Sequence, residues 1–161
     1  MAPLPPDAVG SALVVPMDLL NRLRPQPASS PALFARETAE VERIAMEAVM
    51  AAERRLGYSP RDVSAAKVGY DIESTVASDK PLRFIEVKGR IVGADTVTVT
   101  RNEILSALNT PDQFIMAFVE VEGDAANKVM YAREPFKAEP DFGATSVNYQ
   151  LASLLQGAEA V

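Results

Sequence analysis

The sequence contains no cysteine and no histidine. The first absence excludes disulfides, thiolate nucleophiles, iron–sulfur clusters and zinc–thiolate sites. The second excludes Ser-His-Asp triads, HNH-type chemistry, histidine–zinc centres and imidazole acid–base catalysis. Carboxylate, lysine, tyrosine and hydroxyl chemistry remain, and that inventory suits a hard, oxygen-liganded metal such as Mg²⁺ or Mn²⁺. No apolar run reaches the roughly 18 residues needed to span a bilayer. The start, Met1-Ala2-Pro3-Leu4-Pro5-Pro6-Asp7, lacks the basic region of a signal peptide. The expectation is a cytoplasmic protein with no membrane attachment.

The 161 residues, 48% of them apolar, supply enough material for one core plus a tail. The net charge of −6 argues against broad, non-specific nucleic-acid binding. The charge is uneven, however. From Lys80 to Arg101 the chain carries Lys80, Arg83, Lys88, Arg90 and Arg101 against Glu86 and Asp95. By itself this basic stretch reads as a solvated strand face.

Residues 1–33 read as a linker or docking arm, broken by the proline-dense Arg24-Pro25-Gln26-Pro27. Within it, 12–15 suits a short strand and 17–23 a short helix. Residues 34–161 read as the folded domain. From about Ala35 to Leu56, Val41, Ile44, Ala45, Ala48, Ala52 and Leu56 recur at helical steps. Residues 59–62 suggest a turn. Strands are expected over 68–76, 82–88 and 96–100, with a turn at 77–81. Thr100-Arg101-Asn102-Glu103 is a capping-box sequence opening a helix to about Leu108. A fourth strand over 114–121 is apolar on both faces, a fifth spans 129–133, and a helix is expected from Ser146 to about Gln156. The order predicts a three-strand meander, a helical crossover and a mixed sheet with helices on both faces.

Residues two apart in a strand share a face, so Glu86 and Lys88 point one way while Ile85 and Val87 point the other. A neighbouring antiparallel strand bringing Asp71 beside Glu86 would offer two carboxylates and the Val87 carbonyl to Mg²⁺ or Mn²⁺. Such a metal acidifies a water and stabilises charge on a phosphate, and Lys88 would position that water or neutralise the charge. Aspartate is disfavoured within a strand. Gly69 and Gly89 flank the two acids and suggest close approach by a ligand. Pattern alone leaves a second reading open, a cross-strand ion pair on a solvated face.

Three blocks, Val68-Gly69-Tyr70-Asp71-Ile72-Glu73-Ser74, Arg83-Phe84-Ile85-Glu86-Val87-Lys88-Gly89-Arg90 and Val99-Thr100-Arg101-Asn102-Glu103, resemble the NO VEIN C-terminal family over about residues 36–122. The helix Val41 to Met50 and Asp62-Val63-Ser64 fit it too. The resemblance implies a restriction-endonuclease-like, PD-(D/E)XK fold of αβββαβ order, with an extra strand and a C-terminal helix. It implies Asp71 and Glu86 as metal-binding acids, Lys88 as the catalytic lysine, and Glu47 as the helix glutamate, with Glu40 as substitute. Arg90, Arg101 and Asn102 are the implied DNA contacts, although capping accounts for Thr100 and Glu103. Phe114 stands where relatives often carry tyrosine. Relatives often form the C-terminal part of helicases linked to phage defence, so the expected partners are DNA, a helicase or ATPase domain in cis or trans, and a second copy of the chain. No Walker A sequence is present. The expected activity is DNA phosphodiester hydrolysis, and the alternative is a catalytically silent DNA-binding or docking module.

Overall fold

Helix α1 spans Pro31–Arg55 and begins earlier than the apolar stripe suggests. The computed structural model describes residues 31–75 and 82–161, with side chains from Thr38 onward. The arm up to residue 30, with its expected strand and helix, and the expected turn at 77–81 with Lys80 lie outside the described residues. After α1 come β1 (Ser59–Asp62), a 3₁₀ turn (Ser64–Ala66), β2 (Ile72–Thr75), β3 (Arg83–Ile91) and β4 (Thr96–Thr100). They are followed by α2 (Arg101–Asn109), β5 (Phe114–Glu122), β6 (Ala125–Arg133), β7 (Ser146–Gln150), α3 (Leu151–Leu154) and β8 (Glu159–Ala160).

The main sheet has the order β1-β2-β3-β5-β6-β8, and β3–β5 is its parallel pairing. It is therefore a mixed, mostly antiparallel sheet. Side chains alternate between its faces. Ile85, Ile115, Ala117 and Val119 pack under Ile44, Ala45 and Val49 of α1. Phe114, Met116 and Phe118 pack on the other side with Ile104 and Ala107 of α2 and Val97 and Val99 of β4. Both faces of β5 are thus buried, as its unbroken apolar run predicts.

Five expectations need correction. The three-strand meander does not form, because β2 takes one edge of β3 and β5 takes the other. The chain turns off at Gly93, and β4 pairs with β7 in a separate two-stranded sheet. Residues 146–150 are accordingly a strand, and the helix that follows is a single turn. Residues 59–62, expected as a turn, form an edge strand on β2. Finally, β2 is shorter than expected, because Lys67 and Gly69 take left-handed backbone conformations and the chain becomes regular only at Ile72. The fifth strand also starts earlier, at Ala125.

Beneath α1 lies a buried polar group. Glu53 is fully buried, accepts from the Tyr131 hydroxyl at 2.9 Å and pairs with Arg83 at 3.4 Å. The Arg83 guanidinium lies 4.3 Å from the centre of the Tyr58 ring. Burial, with Glu53 beside it, holds the Tyr131 hydroxyl well above its usual range.

Candidate functional site

The short β2 creates the site. Its first residue, Ile72, stands opposite Ile85, so β3 has no β2 partner from Glu86 onward. Asp71 sits at that boundary. Its backbone N–H donates to the Ile85 carbonyl at 2.9 Å, and its side-chain Oδ2 accepts from the Val87 N–H at 2.9 Å. The carboxylate thus completes a ladder that the strand leaves open. In an extended strand the N–H and C=O of one residue leave toward the same edge. The Val87 carbonyl therefore faces the edge where Asp71 stands.

Glu86 and Lys88 share the opposite face of β3 from Val87. Lys88 Nζ lies 2.7 Å from Glu86 Oε1 and 2.6 Å from Glu103 Oε2, the latter on the first turn of α2. Glu86 is only 4% exposed. Burial pushes its carboxyl up to about 8, with Asp71 and Glu103 adding to the rise and Lys88 opposing it. Burial also raises Asp71, against the Val87 N–H and Lys88. Burial pulls Lys88 down, but Glu86 and Glu103 outweigh it and hold the ammonium above its ordinary value. Glu103 thus gives Lys88 a second carboxylate partner beside Glu86.

Asp71 and Glu86 line two adjoining cavities, of about 550 and 210 Å³. The larger runs past Val87, Lys88 and Arg90 to Glu42, Arg43 and Met46 of α1. The smaller runs past Tyr70 to Lys67, Asn102 and Glu103. The two acids therefore sit at the junction of one two-lobed cleft.

Three carboxylates, Asp71, Glu86 and Glu103, face a single ammonium here. The all-oxygen donor set is of the kind a hard divalent cation takes. Among the described residues, no three Asp or Glu side chains converge to hold a metal. A cation here would draw on Asp71, Glu86 and the Val87 carbonyl, with the remaining positions left to water and substrate oxygens.

The other predicted residues are placed as follows. Arg90 lines the larger lobe, where its guanidinium donates to the carbonyls of Gly89 at 2.7 Å and Thr96 at 3.3 Å. Burial lowers its pKa, and Glu42 and Glu103 offset part of that. Asn102 lines the smaller lobe. Arg101 does not reach the cleft lining: it donates to the Phe142 carbonyl, and its guanidinium lies over the Phe142 ring. Glu47 also stands off the lining, exposed and paired with Arg43 at 2.6 Å, as is Glu40. The acid that α1 presents to the cleft is Glu42. Its helical phase was the available signal, since Ala39, Glu42, Arg43 and Met46 are spaced three and four apart along one flank of the buried stripe.

Both flanking glycines line the cleft, Gly89 in the larger lobe and Gly69 in the smaller, and each also meets a helix. A Cβ on Gly89 would lie 2.9 Å from both Ala45 Cβ and the Val41 carbonyl oxygen. A Cβ on Gly69 would lie 2.1 Å from Ser106 Oγ. Each glycine admits a helix against the strand or loop that bears an acid. Glu103 was read from sequence as a cap alone, and its contact with Lys88 is the residue role that reading missed.

Residues 41–132 match the family model described as Protein NO VEIN, C-terminal. The chain belongs to the NO VEIN C-terminal family. The matched segment contains α1 from Val41, the acid pair, Lys88, α2 and β5, whereas β7, α3 and β8 of this NO VEIN C-terminal member lie beyond it. No curated protein and no solved structure gives a match to the chain.

Proposed function

We propose that this NO VEIN C-terminal domain is a metal-dependent nuclease of the PD-(D/E)XK type, hydrolysing DNA phosphodiester bonds at the Asp71–Glu86 junction. The observation that carries the reading is the convergence of Asp71 with Glu86 at the uncovered edge of β3, with Lys88 on the same face as Glu86. Mg²⁺ or Mn²⁺ bound there would polarise the phosphate and acidify the attacking water. Asp71, Glu86 and the Val87 carbonyl would hold the cation. Lys88 places a positive charge where the phosphate gains negative charge, as the water oxygen bonds to phosphorus and the bond to the leaving sugar oxygen breaks.

The two-lobed cleft provides a path for a strand across the junction. Arg90 flanks the larger lobe, and Lys67 with Asn102 flanks the smaller. Lys67 is exposed and, among the described residues, makes no ion pair, which leaves its ammonium available to a backbone phosphate. In this reading the domain works with a helicase or ATPase domain in DNA restriction or phage defence, and that motor delivers the strand.

One observation favours the silent alternative. Lys88 is already engaged by two carboxylates and Glu86 is buried, so without a cation the site is closed on itself. A cleavage assay separates the readings. The full chain is incubated with plasmid, single-stranded DNA and RNA in Mn²⁺ or Mg²⁺, beside Asp71→Ala and Lys88→Ala. Cleavage by the wild type that disappears in both variants supports the nuclease. Intact substrate throughout favours the silent module.

A further inference from the structure

Glu103 has two partners on one oxygen. Its Oε2 accepts from the Thr100 N–H at 3.1 Å and also lies 2.6 Å from Lys88 Nζ. The Thr100 hydroxyl returns the cap by accepting from the Glu103 N–H at 3.4 Å. A capping box fixes a glutamate against the first turn of its own helix. The helix is seated in turn, because Ser106 Oγ occupies the space that a side chain on Gly69 would need and donates to the Val68 carbonyl at 3.4 Å. Glu103 is therefore held by elements other than Lys88.

Lys88 depends on its anchors, because a buried ammonium needs charged partners. Glu86 is one of them, yet Glu86 must also turn its oxygens to a cation if the cleft hydrolyses phosphodiesters. An ammonium anchored by Glu86 alone would then lose that partner and be repelled by the same cation. A second carboxylate, fixed from another element, removes the conflict.

We propose that Glu103 is a positioning residue that anchors Lys88, keeping Nζ in the cleft while Glu86 engages the cation. Its use in turnover rests on the hydrolytic reading above, whereas the anchoring itself does not. Glu103→Gln isolates this role, because glutamine serves a capping box as glutamate does. The variant keeps its cap and loses only the anion.

The test has two arms, both on the full chain. In the first, metal-free protein is briefly treated with acetic anhydride, and acetylation at each lysine is read by mass spectrometry. Lys88 should react slowly in the wild type and severalfold faster in Glu103→Gln, with the exposed Lys128 unchanged in both. In the second, cleavage of single-stranded DNA in Mn²⁺ should show kcat reduced about 10- to 100-fold, the range set by losing one charge-assisted bond. KM should stay close to wild type, and the variant should remain folded at the assay temperature. Unchanged Lys88 labelling overturns the anchoring, and faster labelling with an unaltered kcat overturns the positioning role. If the wild type cuts nothing, the nuclease reading falls, and the labelling arm still decides whether Glu103 anchors Lys88.

Discussion

Replacing Glu86 by glutamine should stabilise the metal-free protein, and the gain should depend on pH. In the fold this carboxyl is pushed from its ordinary 4.5 up to about 8, chiefly by burial. A carboxyl raised in this way contributes most stability below its unfolded value, where it is protonated in both states. That contribution is lost as pH rises through the folded value. Each pH unit within the window costs about 1.4 kcal/mol, so at pH 7 the cost approaches about 3 kcal/mol as an upper bound, since Asp71 and Lys88 share the site. Glutamine keeps the shape and cannot ionise. Glu86→Gln should therefore melt about 5–10 °C above wild type near pH 7.5 in EDTA, and close to wild type at pH 5. Thermal melts followed by circular dichroism at the two pH values check this. A lower melting temperature for the variant at pH 7.5 would refute the reasoning, because it would make Glu86–Lys88 a net stabilising ion pair and the cleft a structural one.

Asp71→Asn should raise the metal-free melting temperature in the same direction, since it relieves repulsion with Glu86 while a side-chain oxygen still accepts from Val87; a drop would favour the ion-pair reading. Lys67 holds a left-handed conformation, φ 52 and ψ 41, that glycine adopts without steric cost. Lys67→Gly should therefore melt no lower than wild type while binding single-stranded DNA more weakly. Its salt dependence should be shallower by about 0.7 in log K against log salt if one phosphate contact is lost. Fluorescence anisotropy in EDTA measures this, and an unchanged slope removes Lys67 from the strand path. Gly89→Ala places a methyl 2.9 Å from the Val41 carbonyl oxygen, which is backbone and cannot swing aside. The expected loss is about 1–3 kcal/mol in urea unfolding, and a neutral result would mean α1 shifts freely on β3.

Strand β5 and helix α2 were legible because each follows from a local pattern. The 114–121 run is too apolar for a surface strand, and Thr100 with Glu103 forms the capping box that the sequence announces. The partners of β4 were not legible. Which edge a strand occupies depends on which edges are already taken, and here the parallel β3–β5 pairing excludes β4. The 146–150 segment alternates polar and apolar residues at period two, but the leucines just after it suggested a helix. Glu86 and Lys88 follow from strand phase, since residues two apart share a face. Glu42 required the phase of α1 relative to the cleft, and the Glu103–Lys88 contact required the seating of α2 on Gly69. Neither is encoded within one element.

The central claim is that Asp71 and Glu86 together hold a divalent cation. Calorimetric titration of Mn²⁺ into the full chain at pH 7.5 tests it most directly. The account predicts saturable binding to the wild type, lost in both Asp71→Asn and Glu86→Gln and kept in Glu47→Gln, whose side chain stands off the cleft lining. No saturable heat with the wild type, or binding that survives both acid substitutions, would contradict it.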